Sequence, residues 1–185
     1  MKPTHIYLCG FMGSGKSALG KIVAKKLNRP FFDLDDVIED QQNTSISRIF
    51  SGQGEEVFRE IETTTLKELS ARNESSVISL GGGAVINSAN RAIIQSTGKL
   101  VYLRTSVSLL VKRLRNSKKR PKLLKEDGSL RNEQELKELI ADMLGQREEF
   151  YLKADVIVDI REHKPKTITA GIIFSQIINH YPNFT

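Results

Sequence analysis

The chain has 185 residues, with 28 lysines and arginines against 22 aspartates and glutamates, a formal charge of +6, and 39% hydrophobic residues. That size and composition fit one soluble globular domain with its own core. No stretch approaches the roughly 20 apolar residues of a bilayer span, and the single cysteine, Cys9, excludes a disulfide framework or a cysteine-rich zinc site. The opening "MKPTHIYLCG" has one lysine and no small-residue cleavage site, so no signal peptide is expected and the reading is cytoplasmic.

Short strand-like runs alternate with amphipathic helical stretches along the chain. "HIYLCG" (5–10) reads as a strand, and "KSALGKIVAKKL" (16–27) as a helix with Leu19, Ile22, Val23 and Leu27 on one face. Between them "GFMGSGKS" (10–17) satisfies G-x-x-x-x-G-K-[ST] in the context the motif requires, after a strand and before a helix. Backbone N–H groups of such a loop face phosphates, and the helix N-terminus adds a favourable field. Gly13, Ser14, Gly15, Lys16, Ser17 and Ala18 are therefore expected at a nucleotide's phosphates, with Lys16 reaching the β- and γ-phosphates and the Ser17 hydroxyl on Mg²⁺.

"FFDL" (31–34) reads as the second strand, and "DLDD" (33–36) ends it. Extended alternation puts Asp33 and Asp35 on one side, near the carboxyl edge where such sheets bind ligands. One carboxylate could serve Mg²⁺ and the other accept a proton, or one could simply cap a helix starting near Val37. A helix over 55–72 follows "GQG" and carries Arg59 at the margin of its buried stripe; taken alone, Arg59 reads as a surface partner of Glu55, Glu56 or Glu62. "SVISL" (76–80) is the third strand and runs into three glycines, Gly81, Gly82 and Gly83. A tight turn accounts for one glycine; three together imply close approach to the backbone.

"SANRAIIQS" (88–96) is helical, "KLVYLR" (99–104) a strand, and "SVSLLVKRLRN" (106–116) a helix with a basic end. From Lys112 to Lys125 there are eight basic residues and no acid, which leaves 20 basic against 22 acidic elsewhere. The basicity belongs to this segment, whose polar part includes Lys118, Lys119 and Lys122, and it suits an anionic partner. A long helix over 132–151 opens on the capping pair Asn132 and Glu135 and carries Arg147; "ADVIVD" (154–159) is the fifth strand, and a last helix follows Pro165. The alternation implies an α/β three-layer sandwich around a five-stranded parallel sheet.

"GFMGSGKS", "DLDD", "FREIE", "SLGGGAV", "RPKL" and "QREEFY", in this order, resemble the shikimate kinase family over residues 5 to about 160. The resemblance implies the fold of nucleoside monophosphate kinases and ATP-dependent phosphorylation of the 3-hydroxyl of shikimate, on the route to aromatic amino acids. It implies that Asp35 meets the ring hydroxyls and acts as base, that Arg59 and Arg147 hold the carboxylate, and that Asp33 joins Ser17 around Mg²⁺. The three glycines would then serve the acceptor. Catalysis would fall to Asp35, Lys16 and Arg120, the last in a mobile lid over about 112–131, with the acceptor-binding region over about 33–62 of a single kinase domain. Arg113 matches a position that packs on adenine, and "REHKP" (161–165) falls in the second base-contacting loop. The chain departs from the family at Lys122, where leucine is usual after the lid Arg-Pro.

A gluconate or nucleotide kinase is the nearest competitor, and a non-catalytic nucleotide or nucleic-acid binder is the alternative from another class. The basic segment lacks an aromatic platform for stacked bases, so no nucleic acid is expected as partner. His5, His163 and His180 match no metal-ligand spacing, and Cys9 reads as a buried small residue. A monomer is expected.

Overall fold

The computed structural model describes residues 4–117, 120–162 and 164–182; Lys118, Lys119 and His163, named above, lie outside them. The strands are β1 (His5–Cys9), β2 (Phe31–Asp33), β3 (Val77–Ser79), β4 (Gly98–Thr105) and β5 (Val156–Ile160). They form one parallel sheet in the order β2-β3-β1-β4-β5. Central β1 is buried along its whole length, as a parallel strand covered on both faces must be.

Strand alternation sorts the core into two layers. Tyr7 and Cys9 of β1 and Leu100 and Tyr102 of β4 pack on one side, against α2 (Leu34–Gln42), α3 (Ile46–Ser70), α4 (Ser88–Thr97), α5 (Val107–Leu114) and α6 (Glu133–Tyr151). Ile6, Leu8, Val101 and Leu103 point the other way, against α1 (Lys16–Leu27) and α7 (Lys166–His180). Period-2 side-chain direction in the strands thus builds the three-layer sandwich expected from the sequence. Among the described residues no helix is long and apolar enough to cross a membrane.

Three local differences bear on the site. β2 ends at Asp33, and α2 begins at once, so Asp33 and Asp35 do not alternate along one extended segment. Asp33 is the N-cap, and its Oδ1 accepts the amide of Asp35 at 3.2 Å. An aspartate here satisfies an amide the helix leaves unpaired, and Asp35 and Asp36 in the first turn face the positive end of the helix dipole. The GQG break is present, Gly54 standing at φ 90° and ψ 171° between two helical stretches of α3, but a further stretch capped by Ser45 precedes it and carries the helical run back to Ile46. β5 starts at Val156 because Asp155 is turned to accept the Leu100 amide at 2.8 Å. The expected capping pair of α6 is present, Asn132 and Glu135 each bonding the other's backbone amide at 2.9 Å.

Candidate active site

The site lies at the carboxyl end of β1, β2 and β3. On one side the loop from Gly10 to Gly15 leads into α1, with Gly13 at φ 82° and Gly15, the N-cap, at φ 99°. Side-chain-bearing residues rarely adopt such angles, so the path of this loop depends on glycine at both positions. Lys16 folds back over the loop, its Nζ donating to the carbonyls of Gly10 at 2.9 Å and Phe11 at 3.3 Å. Burial lowers its pKa, while the charges of Asp35 and Asp33 oppose that shift. Ser14 is buried, Ala18 half-buried, and Ser17 is exposed at the mouth.

Arg113 on α5 reaches the same loop, donating to the carbonyls of Gly13 at 2.8 Å and Ser14 at 3.2 Å. Beside it opens a cleft of about 320 Å³ lined by Gly13, Gly15, Ala18, Arg113, Arg161 and Lys164. A basic rim next to glycine amides favours a polyanion. Arg161 and Lys164 come from the REHKP stretch. Arg120 is exposed, and its charge acts on both Lys16 and Asp35.

On the other side, side chains from three helices converge on the three glycines. A Cβ placed on Gly81 would come within 2.8 Å of Glu62 Oε1 and 2.9 Å of Asp35 Oδ1. One placed on Gly83 would stand 2.8 Å from the Arg59 guanidinium, and one on Gly82 would stand 3.4 Å from Arg147 Nη1. The absence of side chains here makes room first for the protein's own charged groups. At Gly81 and Gly83 any other residue would have to displace them.

Arg59 is held at both ends of its guanidinium: Nη1 donates to Glu62 Oε2 at 2.8 Å and Nη2 to Glu55 Oε1 at 2.9 Å. These are two of the surface pairings that its position on the helix suggests. Arg147, from α6, lies 5.7 Å over the Phe11 ring and donates to the Gly82 carbonyl at 3.4 Å. The Tyr151 hydroxyl donates to the same carbonyl, and its ring stacks on Tyr102 at 5.0 Å. Each glycine thus has a neighbour of fixed charge.

Two carboxyls here sit above their ordinary range. Burial raises the pKa of Asp35, with Asp33 adding to it and the charges of Lys16 and Arg120 acting against it. Burial likewise raises Glu62, against the pull of Arg59. Glu62 is only 1% exposed, and its Oε1 has no hydrogen-bond partner among the described residues. It was not singled out from the sequence, although an acid three residues beyond an arginine at the edge of a buried stripe was a usable signal.

The described residues contain no cluster of three or more His, Cys, Asp or Glu able to hold a metal unaided. Ser17 and Asp33 offer hard oxygens, and Asp33 commits only one of its two to the α2 cap. That donor set fits Mg²⁺, which keeps most of its waters and draws further ligands from phosphates. The remaining candidates stand apart. Cys9 is buried, its thiol pushed up to about 12 by desolvation, His5 is buried in a bond with Ser76 Oγ at 2.8 Å, and His180 ends α7.

The family model described as shikimate kinase matches residues 12–180. The shikimate kinase of Chlorobium luteolum is 42% identical over 153 residues, covering 83% of this chain and 75% of that protein. The shikimate kinase of Rippkaea orientalis is 43% identical over 170 residues, covering 91% and 86%. Among solved structures, shikimate kinase from Acinetobacter baumannii in complex with shikimate superposes with a TM-score of 0.85 at 32% identity, covering 97% of this chain and 95% of that one. Sequence and fold agree over nearly the whole chain: it belongs to the shikimate kinase family.

Proposed function

We propose that the protein transfers the γ-phosphoryl group of ATP to the 3-hydroxyl of shikimate, giving shikimate 3-phosphate and ADP. The observation that carries this reading is the meeting of Asp35, Arg59 and Arg147 at Gly81–Gly83, directly across from the phosphate loop. A small acid with ring hydroxyls needs planar cations for its carboxylate and an anion for its hydroxyl, and the site offers both.

In this mechanism Gly13, Ser14, Gly15, Ser17 and Ala18 bind the phosphates through the loop and the start of α1. Arg113 and the cleft beside it take the base. Lys16, now resting on loop carbonyls, exchanges them for the β- and γ-phosphate oxygens. Arg59 and Arg147 clamp the carboxylate and so fix the ring against the glycines, which aligns the hydroxyl for in-line attack. Asp35 accepts the hydroxyl proton as the new O–P bond forms and the bond to the ADP oxygen breaks. Its raised pKa makes it a better base than an ordinary surface aspartate. Arg120 stabilises charge on the transferring group from the lid over about 112–131. Mg²⁺, held by Ser17 and Asp33, supplies charge neutralisation at the phosphates.

The reading includes a single kinase domain with the acceptor region over about 33–62, acting as a cytoplasmic monomer without a nucleic-acid partner. It is tested by ADP release from ATP and Mg²⁺ with purified protein, with shikimate and, separately, with gluconate or AMP. Release with shikimate alone supports it. Turnover with gluconate or AMP and not with shikimate moves the acceptor assignment elsewhere.

A further inference from the structure

The segment after Arg120 is fixed to the acceptor side of the molecule by a residue with no part in the chemistry above. Leu123 is buried in the core, 3% exposed, while Lys122 beside it reaches across to α3. There its Nζ lies 3.4 Å from Glu55 Oε2 and 5.1 Å from the centre of the Phe50 ring. The other oxygen of Glu55 holds Arg59 Nη2 at 2.9 Å. One carboxylate is therefore shared between a cation next to Arg120 and the guanidinium assigned to the acceptor.

That sharing has a consequence for binding. Arg59 already carries two acids, one on each terminal nitrogen, so a third carboxylate arriving at Nη2 meets the charge of a neighbouring acid and binds better if that acid yields. Glu62 is buried and fixed; Glu55 is half-exposed and is the one able to swing. We infer that Lys122 is a positioning residue for acceptor binding, which gives Glu55 a second cationic partner and so frees Arg59 for the incoming carboxylate. A leucine at this position packs on Phe50 but leaves Glu55 no alternative to Arg59. The inference rests on the assignment of Arg59 as the carboxylate clamp.

Lys122→Met keeps an unbranched stem over Phe50 and removes the charge. It is expected to raise KM for shikimate by about 1.5- to 5-fold, the range of a half-exposed ion pair. The kcat and the KM for ATP should stay as they are. In a Glu55→Gln background the same substitution should leave KM for shikimate unchanged, because no competing charge remains. An equal rise in both backgrounds, or an effect on KM for ATP instead, overturns the inference. The pair is also read without turnover, by NMR titration of the Glu55 carboxyl. Its pKa, now held low first by Arg59 and further by Lys122, should rise in Lys122→Met, and an unchanged value overturns the inference even in an active enzyme. A wild-type protein inactive on shikimate removes the acceptor assignment itself, a failure visible before any variant is made.

Discussion

The two halves of the site are built from different material. The half assigned to the nucleotide rests chiefly on backbone, with loop amides, glycine torsions and a helix N-terminus within residues 10–18 of one strand–loop–helix unit, and only Arg113 and the basic cleft beside it come from elsewhere. The acceptor half is side chains, brought from α2, α3 and α6 to a glycine floor after β3. A backbone site is local and reads out of a short motif. A side-chain site depends on the fold to bring Asp35, Arg59 and Arg147 together, and each of them looks ordinary where it stands in the sequence.

This contrast predicts that acceptor-side substitutions leave ATP binding intact. The largest effect is expected at Asp35. Asp35→Asn should lower kcat by about 10²- to 10⁴-fold, the usual worth of a positioned base, with ATP affinity by calorimetry unchanged. Loss of ATP binding in that variant would mean that the halves are not separable. Arg59→Lys keeps the charge but loses the planar fork, and a charge-assisted hydrogen bond is worth about 1.5–3 kcal/mol. KM for shikimate should then rise by about 10- to 150-fold, with KM for ATP held.

Gly83→Ala tests the floor itself. The added methyl lands on the Arg59 guanidinium, and overpacking of about 1–3 kcal/mol should appear as a higher KM for shikimate, while melting temperature and ATP binding change little. A wild-type KM here would show that Arg59 has room to move.

How much of this the sequence discloses follows from the same division. The phosphate loop and the order of strands and helices are legible because each depends on neighbours within about ten residues. The α2 start is not, since the residues of "DLDD" suit either the end of a strand or the capped start of a helix. What decides it is that Asp33 gives its side chain to the Asp35 amide. Gly54 does interrupt α3, and what the sequence leaves unread is the capped stretch from Ile46 before it. Glu62 is hidden for another reason: an acid on a charged helix reads as solvated until the fold buries it under Gly81.

The pH dependence separates the halves again. With its pKa raised mainly by burial, Asp35 should become protonated at a pH above the ordinary aspartate range. Since the base acts ionised, kcat/KM for shikimate should fall as pH drops through that value, while ATP affinity holds. Asp35→Asn should abolish this acid limb, and its persistence would assign the limb to another group.

The smallest effect lies on central β1, at a side chain with no part in the site. There the Tyr7 hydroxyl meets Ser70 Oγ at 2.8 Å and Thr97 Oγ1 at 2.7 Å. Both partners keep a backbone carbonyl as second acceptor, Ser70 on Leu66 and Thr97 on Ile93. Tyr7→Phe should therefore cost about 0.5–1.5 kcal/mol of stability in denaturant unfolding and leave both Michaelis constants alone. A change in either constant would break the division between a structural bond and the functional site.

If the acceptor lies on the glycine floor, clamped by arginines and facing Asp35, a crystal structure with ADP and shikimate will show the carboxylate within hydrogen-bonding distance of Arg59 and Arg147, and the 3-hydroxyl on Asp35. A carboxylate directed to Lys16 and the phosphate loop, or a ring bound away from Gly81–Gly83, would contradict it.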